Sequence, residues 1–540
     1  MPGSCAVCGQ PSSSICGGCK RLFYCSKEHQ KLHWMKEHKG CCRAVYKLEQ
    51  NDRLGRYLIA SENISKGDVI FYESPLIVGP KTVTVPVCLG CHNVCNMDNY
   101  HECDGCGFPL CSPQCQVSDN HVDECYQMMK SNYRIKMDSK KKKNNDDNNG
   151  GGKEIFYFPI VPLRCILLKG KKNSEKYKKI MNLESHYDDR INKPLFDLYK
   201  KNVADFIRER LKMDDVDEKE ILTITGILDT NAFEIVKNNV KLRGLYNVSS
   251  MLSHDCKPNT KHSFLQPDMT IVVTATRDIK SGELITATYT QTFWNTLSRR
   301  EHLKTIKCFD CVCERCSDPS ELGTYAGAIR CSKCTMTSDK NSVENCYVIP
   351  VDPLNSNSVW KCMNCQREMS HKQIKMGNDN LKNELTKSNV KTVTGLEEFL
   401  IKYGVYENGV LHSNNYHVVQ VKHALIRLIG NTDGYTYSDI SDDLLDRKII
   451  YCQELLDFVD VVDPEYSNIR GEILNELQSS IVVQTKRQYN NDKITKQEAQ
   501  SNLQNALNIL KQVMEILKFD LNPQDFEKKI LSLSKELDEE

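Results

Sequence analysis

The sequence predicts an α+β multi-domain protein in which metal-binding cysteine clusters bracket and interrupt one β-rich unit, with an all-α region closing the chain. Three observations lead there. The 540 residues include 27 cysteines, gathered mainly in stretches 5–42, 88–125, 308–316 and 331–365. Short apolar runs around glycine turns lie between those stretches, as at Gly67 and Gly282. Beyond residue 396 the apolar spacing becomes helical, as in Leu503, Leu507, Leu510, Met514 and Leu517, and in Ile449, Cys452, Leu456 and Val459.

Composition narrows the function classes. Lys plus Arg (72) nearly cancels Asp plus Glu (71), which argues against a generally basic nucleic-acid binder. No apolar run of membrane-spanning length occurs. The start, Met-Pro-Gly-Ser-Cys, lacks a basic and an apolar signal region, so the expected compartment is the cytoplasm, the nucleus or both. Structural disulfides are rare there, and paired cysteines point to metal.

The first cluster holds Cys5, Cys8, Cys16, Cys19, Cys25, His29, His38 and Cys42, eight donors for two tetrahedral sites. Thiolate and imidazole suit zinc. Each x3 pair, Cys25/His29 and His38/Cys42, fits one helical turn, and Cys42 keeps that spacing where its neighbour Cys41 does not. So small a module needs the metal to fold, at about 10 kcal/mol per site. The second cluster repeats the order with Cys88, Cys91, Cys103, Cys106, Cys111, Cys115, His121 and Cys125, leaving His92 and Cys95 as bystanders. Both clusters resemble MYND zinc fingers. That resemblance implies cross-bracing: Cys5, Cys8, Cys25 and His29 on one ion; Cys16, Cys19, His38 and Cys42 on another; Cys88, Cys91, Cys111 and Cys115 on a third; Cys103, Cys106, His121 and Cys125 on a fourth. It also implies proline-containing peptides as partners, with a purely structural staple as the other reading.

Between and after the fingers run motifs of a second kind. Leu54-Gly55-Arg56-Tyr57-Leu58, Ser253-His254-Asp255-Cys256-Lys257-Pro258-Asn259, Gly282-Glu283-Leu284 through Tyr289, and Cys311-x-Cys313-x2-Cys316 stand in that order. Together they resemble the SET domain and post-SET segment of protein-lysine methyltransferases. With the fingers, the order is similar to the SET-and-MYND (SMYD) family, in its arthropod-type branch with a second finger. The resemblance implies S-adenosyl-L-methionine as cofactor, held by Gly55, Arg56, Asn231, Ser253, His254 and Phe309. It also implies a lysine channel lined by Phe233 and Tyr289, Tyr289 as the catalytic hydroxyl, and a zinc ion on Cys256, Cys311, Cys313 and Cys316. Three positions depart from the family pattern. Ser253 replaces Asn, Tyr57 replaces Gly, and Lys307 stands where a second active-site Tyr is common. The chemistry implied is methyl transfer to a neutral amine in a narrow, dry channel.

Cys331, Cys334, Cys362 and Cys365 resemble the knuckles of a zinc ribbon, bringing the expected total to about six zinc ions. Cys165, Cys308, Cys346 and Cys452 remain, with packing as their reading. The predicted organisation is a MYND finger at 5–42, the first SET part at 46–80, an inserted finger at 88–125 and a disordered low-complexity insertion at 138–153. The SET core follows at 154–292, then a post-SET site at 300–320, a zinc ribbon at 328–370 and a TPR-like helical domain at 392–540. The expected function is methylation of a lysine on a histone or other protein by a monomer. The alternative is a catalytically degenerate zinc-bound scaffold or transcriptional regulator.

Overall fold

The computed structural model describes residues 3–96, 98–135, 155–170, 174–238, 240–337, 346–387, 391–404, 409–520 and 523–539. The insertion expected at 138–153 lies outside them, with the Lys140–Lys143 run.

Small antiparallel sheets surround a shared apolar centre. Tyr46–Asn51 and Gly55–Ala60 form a hairpin whose Gly55 takes the left-handed backbone (φ +65°) that a glycine adopts without strain. A three-stranded sheet orders Thr260–Leu265, Thr270–Ala275 and Val69–Glu73, and another orders Phe233–Lys237, Val240–Leu245 and Ile77–Pro80. The two look-alike turns noted in the sequence pair with each other. Ile64 and Ile279 exchange both main-chain hydrogen bonds at 2.9 Å, Asp278 accepts from the Lys66 N–H at 2.8 Å, and Asn63 accepts from the Ser281 N–H at 2.9 Å. This joins segments more than two hundred residues apart, which is why each half of the domain is incomplete alone. The run after Gly282 forms strand only at Thr286–Ala287, which pairs in parallel with Ser253–His254. The segment is otherwise held by side chains.

The centre is filled by Leu58, Ile70, Phe71, Tyr157, Leu242, Tyr246 and Ile271, and it extends without a break into the second cysteine cluster. The first cluster has its own small core of Cys5, Cys16, Cys19 and Tyr24.

A four-stranded sheet, Ile329–Arg330, Tyr347–Pro350, Trp360–Cys362 and Glu368–Met369, carries the ribbon cysteines. Six helices then pack each on the next: Val393–Tyr403, Tyr416–Leu428, Asp442–Val462, Asn468–Asn490, Lys496–Ile516 and Pro523–Glu539. The predicted stripes point inward, with Leu503, Leu507, Leu510, Cys452 and Val459 all buried. The array is preceded by a helix the periodicity did not announce, His371–Leu385, opened by a reciprocal Ser370/Gln373 capping box. The array docks on the sheet of Thr260–Leu265. Asp520 accepts from the Ser263 hydroxyl at 2.8 Å, and Asn468 donates to the His262 carbonyl at 3.2 Å.

Candidate functional site

The four-cysteine centre beside the strand ends anchors the site. Cys256 follows the Ser253–His254 strand, while Cys311, Cys313 and Cys316 come from a segment about sixty residues on. Their sulfurs converge, with Cys256 and Cys316 3.5 Å apart. Zn–S bonds of about 2.3 Å in a tetrahedron require edges near ~3.7 Å, so the donors fit one zinc ion. The surrounding charges fit as well. Arg299 and Arg315 are fully buried with one carboxylate between them, Glu321, which accepts from Arg299 at 2.8 Å and lies 3.6 Å from Arg315. The excess positive charge faces the sulfurs, as Arg299 donates to Cys316 at 3.5 Å. Four thiolates on a divalent ion carry the negative charge that balances it.

His254 links this centre to the predicted catalytic residue. Its Nδ1 accepts from the Tyr289 N–H at 3.0 Å, and its Nε2 lies 3.2 Å from the Cys256 sulfur. Burial holds the imidazole neutral, lowering its pKa to about 4. Both ring nitrogens are therefore committed, and only the main chain of His254 is left for the cofactor contact expected of it. Tyr289 donates its hydroxyl to the Leu252 carbonyl, and burial pushes its pKa up, so it stays protonated. Phe309 packs on both, 5.8 Å from the His254 ring and 6.5 Å from Tyr289. Lys307 stands over the Tyr289 ring, its Nζ 5.6 Å from the centroid.

The other predicted residues make contacts of their own on neighbouring elements. Asn231 ends the helix Glu218–Asn231 and donates to the carbonyls of Glu184 and Ile227 at 2.8 Å each, while Arg56 donates to the carbonyl of Asn182 in the same loop. Phe233 lies farther along, edge-on to Tyr246 at 5.8 Å and to His262 at 5.1 Å. Arg56, Asn231, Ser253, His254, Tyr289, Lys307 and Phe309 are all part-exposed. Tyr57 is also part-exposed and sits in the hairpin opposite Glu49.

Two positioning residues were not singled out from sequence. Asn259 clasps the Tyr289 segment, accepting from the Thr286 N–H and donating to the Leu284 carbonyl, both at 2.7 Å. Its place inside the Cys-Lys-Pro-Asn motif was the available signal. Glu73 accepts from the N–H groups of Val248 and Ser249 at 2.8 Å each, fixing the turn that leads into Ser253. No local pattern marks Glu73.

In both fingers the predicted donor sets come together, with ligand atoms of each set within 4.8 Å of one another. Cys25 lies just ahead of the helix Lys27–His33, whose N-cap is Ser26, so Cys25 and His29 straddle the helix start rather than sharing a turn. Gly18 and Gly105 hold matching places in the inner knuckles. A Cβ there would come within 2.6 Å of the Cys42 sulfur and 2.7 Å of the Cys125 sulfur, so close approach requires glycine. His92 stays outside both donor sets of the second cluster, as expected, and accepts from Arg164 at 3.0 Å, its imidazole held neutral by burial. The ribbon sulfurs pair at 3.6 Å (Cys331/Cys365) and 3.7 Å (Cys334/Cys362). Cys165 and Cys452 pack in cores, as expected.

Comparison with known proteins agrees with this arrangement. The SET domain family matches residues 55–290, and the MYND finger family matches 5–42. A Drosophila melanogaster relative, SET domain-containing protein SmydA-8 isoform B, is 29% identical over 59% of this chain and 66% of its own length. Histone-lysine N-methyltransferase ASHR1 of Arabidopsis thaliana is 28% identical over 51% of this chain and 55% of its own. Histone-lysine N-methyltransferase SMYD3 of Homo sapiens is 38% identical over 14% of this chain and 17% of its own. The chain thus spans less than two thirds of the length of these curated relatives. Among solved structures, the SET domain of LSMT bound to lysine and AdoHcy aligns over 94% of this chain and 92% of that one. Its 12% identity and TM-score of 0.29 are too low to bear on the fold. Among the described residues, no helix is long and apolar enough to cross a membrane.

Proposed function

Because this chain belongs to the SET-and-MYND family, we propose that it transfers a methyl group from S-adenosyl-L-methionine to a lysine side chain of a protein. One observation carries the reading. Tyr289, His254, Phe309 and Lys307 meet, all part-exposed, against a four-cysteine centre. Around that group Gly55, Arg56 and Asn231, the main chain of Ser253 and His254, and the ring of Phe309 would hold the cofactor. Bound there, it supplies a methyl group on a sulfonium.

The protein's part is to hold, orient and dry the reactants. The Tyr289 ring walls the acceptor side, its main chain fixed by His254 and its hydroxyl by the Leu252 carbonyl. Aromatic faces and carbonyl oxygens stabilise a cationic nitrogen. A zinc ion on Cys256, Cys311, Cys313 and Cys316 would tie the segment that carries Lys307 and Phe309 to the strand of His254. Histones and other nuclear or cytoplasmic proteins are the substrate class, the chain acting as a monomer with about six zinc ions. The first finger is the surface for proline-containing peptides.

Radiolabelled S-adenosyl-L-methionine tests the reading. Label is expected on protein lysine, and Tyr289→Phe should reduce transfer at least ~100-fold, the scale of losing a well-placed catalytic group. Unchanged transfer in Tyr289→Phe would remove that residue from its role. Cofactor binding by calorimetry with no transfer to any protein would leave the scaffold reading in its place.

A further inference from the structure

A cavity of about 270 Å³ is lined by none of the residues expected to hold cofactor or substrate. It lies between the start of the helix Thr296–His302, the turn that follows the four-cysteine centre, and the ribbon loop that leads to Trp360. Pro319, Pro350, Pro353 and Trp360 give it rigid apolar walls. The arginine and lysines that line it are already engaged. Arg300 donates to the carbonyls of Cys311 and Leu354, Lys304 pairs with Asp310 at 3.1 Å, and Lys375 pairs with Glu301 at 2.7 Å.

Asn295, also on the lining, is different. It is only 1% exposed and caps the helix Thr296–His302, its Oδ1 accepting from the Ser298 N–H at 2.9 Å. That bond fixes which way the amide faces, so its NH2 group turns away from the helix. Nδ2 has no hydrogen-bond partner among the described residues. A buried N–H left unmet is costly, and native structures seldom keep one without a reason. Glu321 supplies an acceptor close by. Its Oε1 takes the Thr296 N–H at 2.9 Å and its Oε2 takes Arg299 at 2.8 Å, and a carboxylate oxygen can accept a second bond. The two groups meet at Gly327. A Cβ there would lie 3.4 Å from the Trp360 ring, 3.5 Å from Glu321 Oε1 and 3.7 Å from Asn295 Nδ2. A free donor, an acceptor and an aromatic ring thus gather at one spot of the cavity wall.

We propose that this cavity is a binding site for a neutral carboxamide group, whose carbonyl accepts from Asn295 and whose N–H donates to Glu321. The charges select that group. A carboxylate would satisfy Asn295 but face the buried Glu321. A cation would suit Glu321 but bring no acceptor for Asn295. A carboxamide carries both an acceptor and a donor on one flat unit, and flat units pack well on an indole ring. The source is either a free aromatic carboxamide or the side chain of a glutamine on a partner. The site is independent of the methyl-transfer reading, because it shares no residue with the group around Tyr289.

Fluorine NMR of the full chain carrying 5-fluorotryptophan tests the site. The chain has three tryptophans, Trp34, Trp294 and Trp360, and loss of a signal in Trp360→Phe assigns the one that matters. Benzamide should shift the Trp360 signal and leave that of Trp34 in place, saturating near ~1 mM, a usual strength for so small a ligand. Its isosteres benzoate and benzamidine should bind at least ~10-fold more weakly, since each leaves one buried group unmet. Asn295→Asp keeps the helix cap but replaces the donor with an acceptor, so the order should reverse in favour of benzamidine. Gly327→Ala serves if that variant does not fold. Its methyl group fits at ordinary contact distances and takes the space of the ligand, so benzamide binding should be lost. Acetyl-Gly-Gln-Gly-amide binding tighter than benzamide, with loss on exchange of Gln for Glu, would identify a partner's glutamine as the source. The reverse order would identify a free carboxamide. A Trp360 signal unmoved by benzamide well above that concentration would overturn the proposal. So would benzoate, benzamidine or benzyl alcohol binding as tightly as benzamide, or full binding in Gly327→Ala.

Discussion

The two fingers carry eight donors each in the same order, differing only where His29 of the first stands against Cys115 of the second, yet one keeps a small core of its own and the other is part of the main core. In the first, Cys8 and Cys25 are exposed, and it meets the sheets through a small separate cluster, in which Phe23 and Ile15 pack with Leu265, Val272, Val69 and Tyr72, and through a hydrogen bond from the Tyr72 N–H to the Lys20 carbonyl at 2.7 Å. In the second, Cys88, Cys103 and Cys106 are fully buried and continuous with the core of the SET domain. A chain of buried groups seals the join. Arg164, from the helix Ile160–Leu167, donates to both oxygens of Glu124 at 2.5 and 2.7 Å; Glu124 contacts His121 Nδ1 at 3.1 Å; and His121 Nε2 lies 3.4 Å from Cys103. Arg164 also donates to the carbonyls of Val78 and Leu89, so one guanidinium ties the sheet, the finger and the metal site together. A carboxylate behind a metal-bound histidine fixes its ring orientation and strengthens it as a ligand. Matching donor spacing thus says that an ion binds, and the residues behind the donors say what depends on it.

The largest expected difference is between Cys103→Ser and Cys16→Ser. Each removes an inner-site ligand, and a structural zinc ion contributes on the order of 10 kcal/mol, comparable to the stability of a whole domain. Cys103→Ser should leave no folded SET domain by circular dichroism. Cys16→Ser should disorder 5–42 while the main melting transition stays within about 2 °C. Next, Arg164→Met strands a buried carboxylate and should cost ~3–5 kcal/mol, lowering the melting temperature by roughly 10 °C. A shift under about 2 °C would show that the finger is joined by packing alone. Smallest is Asp463→Asn, at the joint with the helical array. Burial raises this carboxyl to about 7, opposed by a hydrogen bond from Thr292 and by Arg315 and Lys261. The folded state therefore holds the proton more tightly than the unfolded state. The penalty is absent below about pH 4, grows as pH rises through 7 and is complete above it. Asp463→Asn should raise the melting temperature by a few degrees near pH 8 and leave it unchanged near pH 4.

Much of this was legible in the sequence because metal ligands are local. A CxxC knuckle or an x3 pair must fall within one turn of chain, so spacing reveals it. The helical stripe from Leu503 to Leu517 was legible for the same reason. What spacing could not reach is the tertiary partner of a single residue. Arg164 and Glu124 lie forty residues apart with no pattern between them, and Lys307 caps a helix that ended 76 residues earlier. A lysine in place of an aromatic wall reads as a defect until the helix end that needs its donors is known. The run after Gly282 forms only the short Thr286–Ala287 strand because Asn259 side-chain bonds, rather than a ladder, hold it.

Hydrogen exchange under a graded series of zinc chelator tests the contrast between the fingers most directly. Peptides from 5–42 are expected to lose protection first, while those from 88–125 hold until a later single transition shared with the strands Val240–Leu245 and Thr270–Ala275. Loss of protection in 88–125 together with 5–42, with those strands still protected, would contradict the claim that the second finger is part of the SET core.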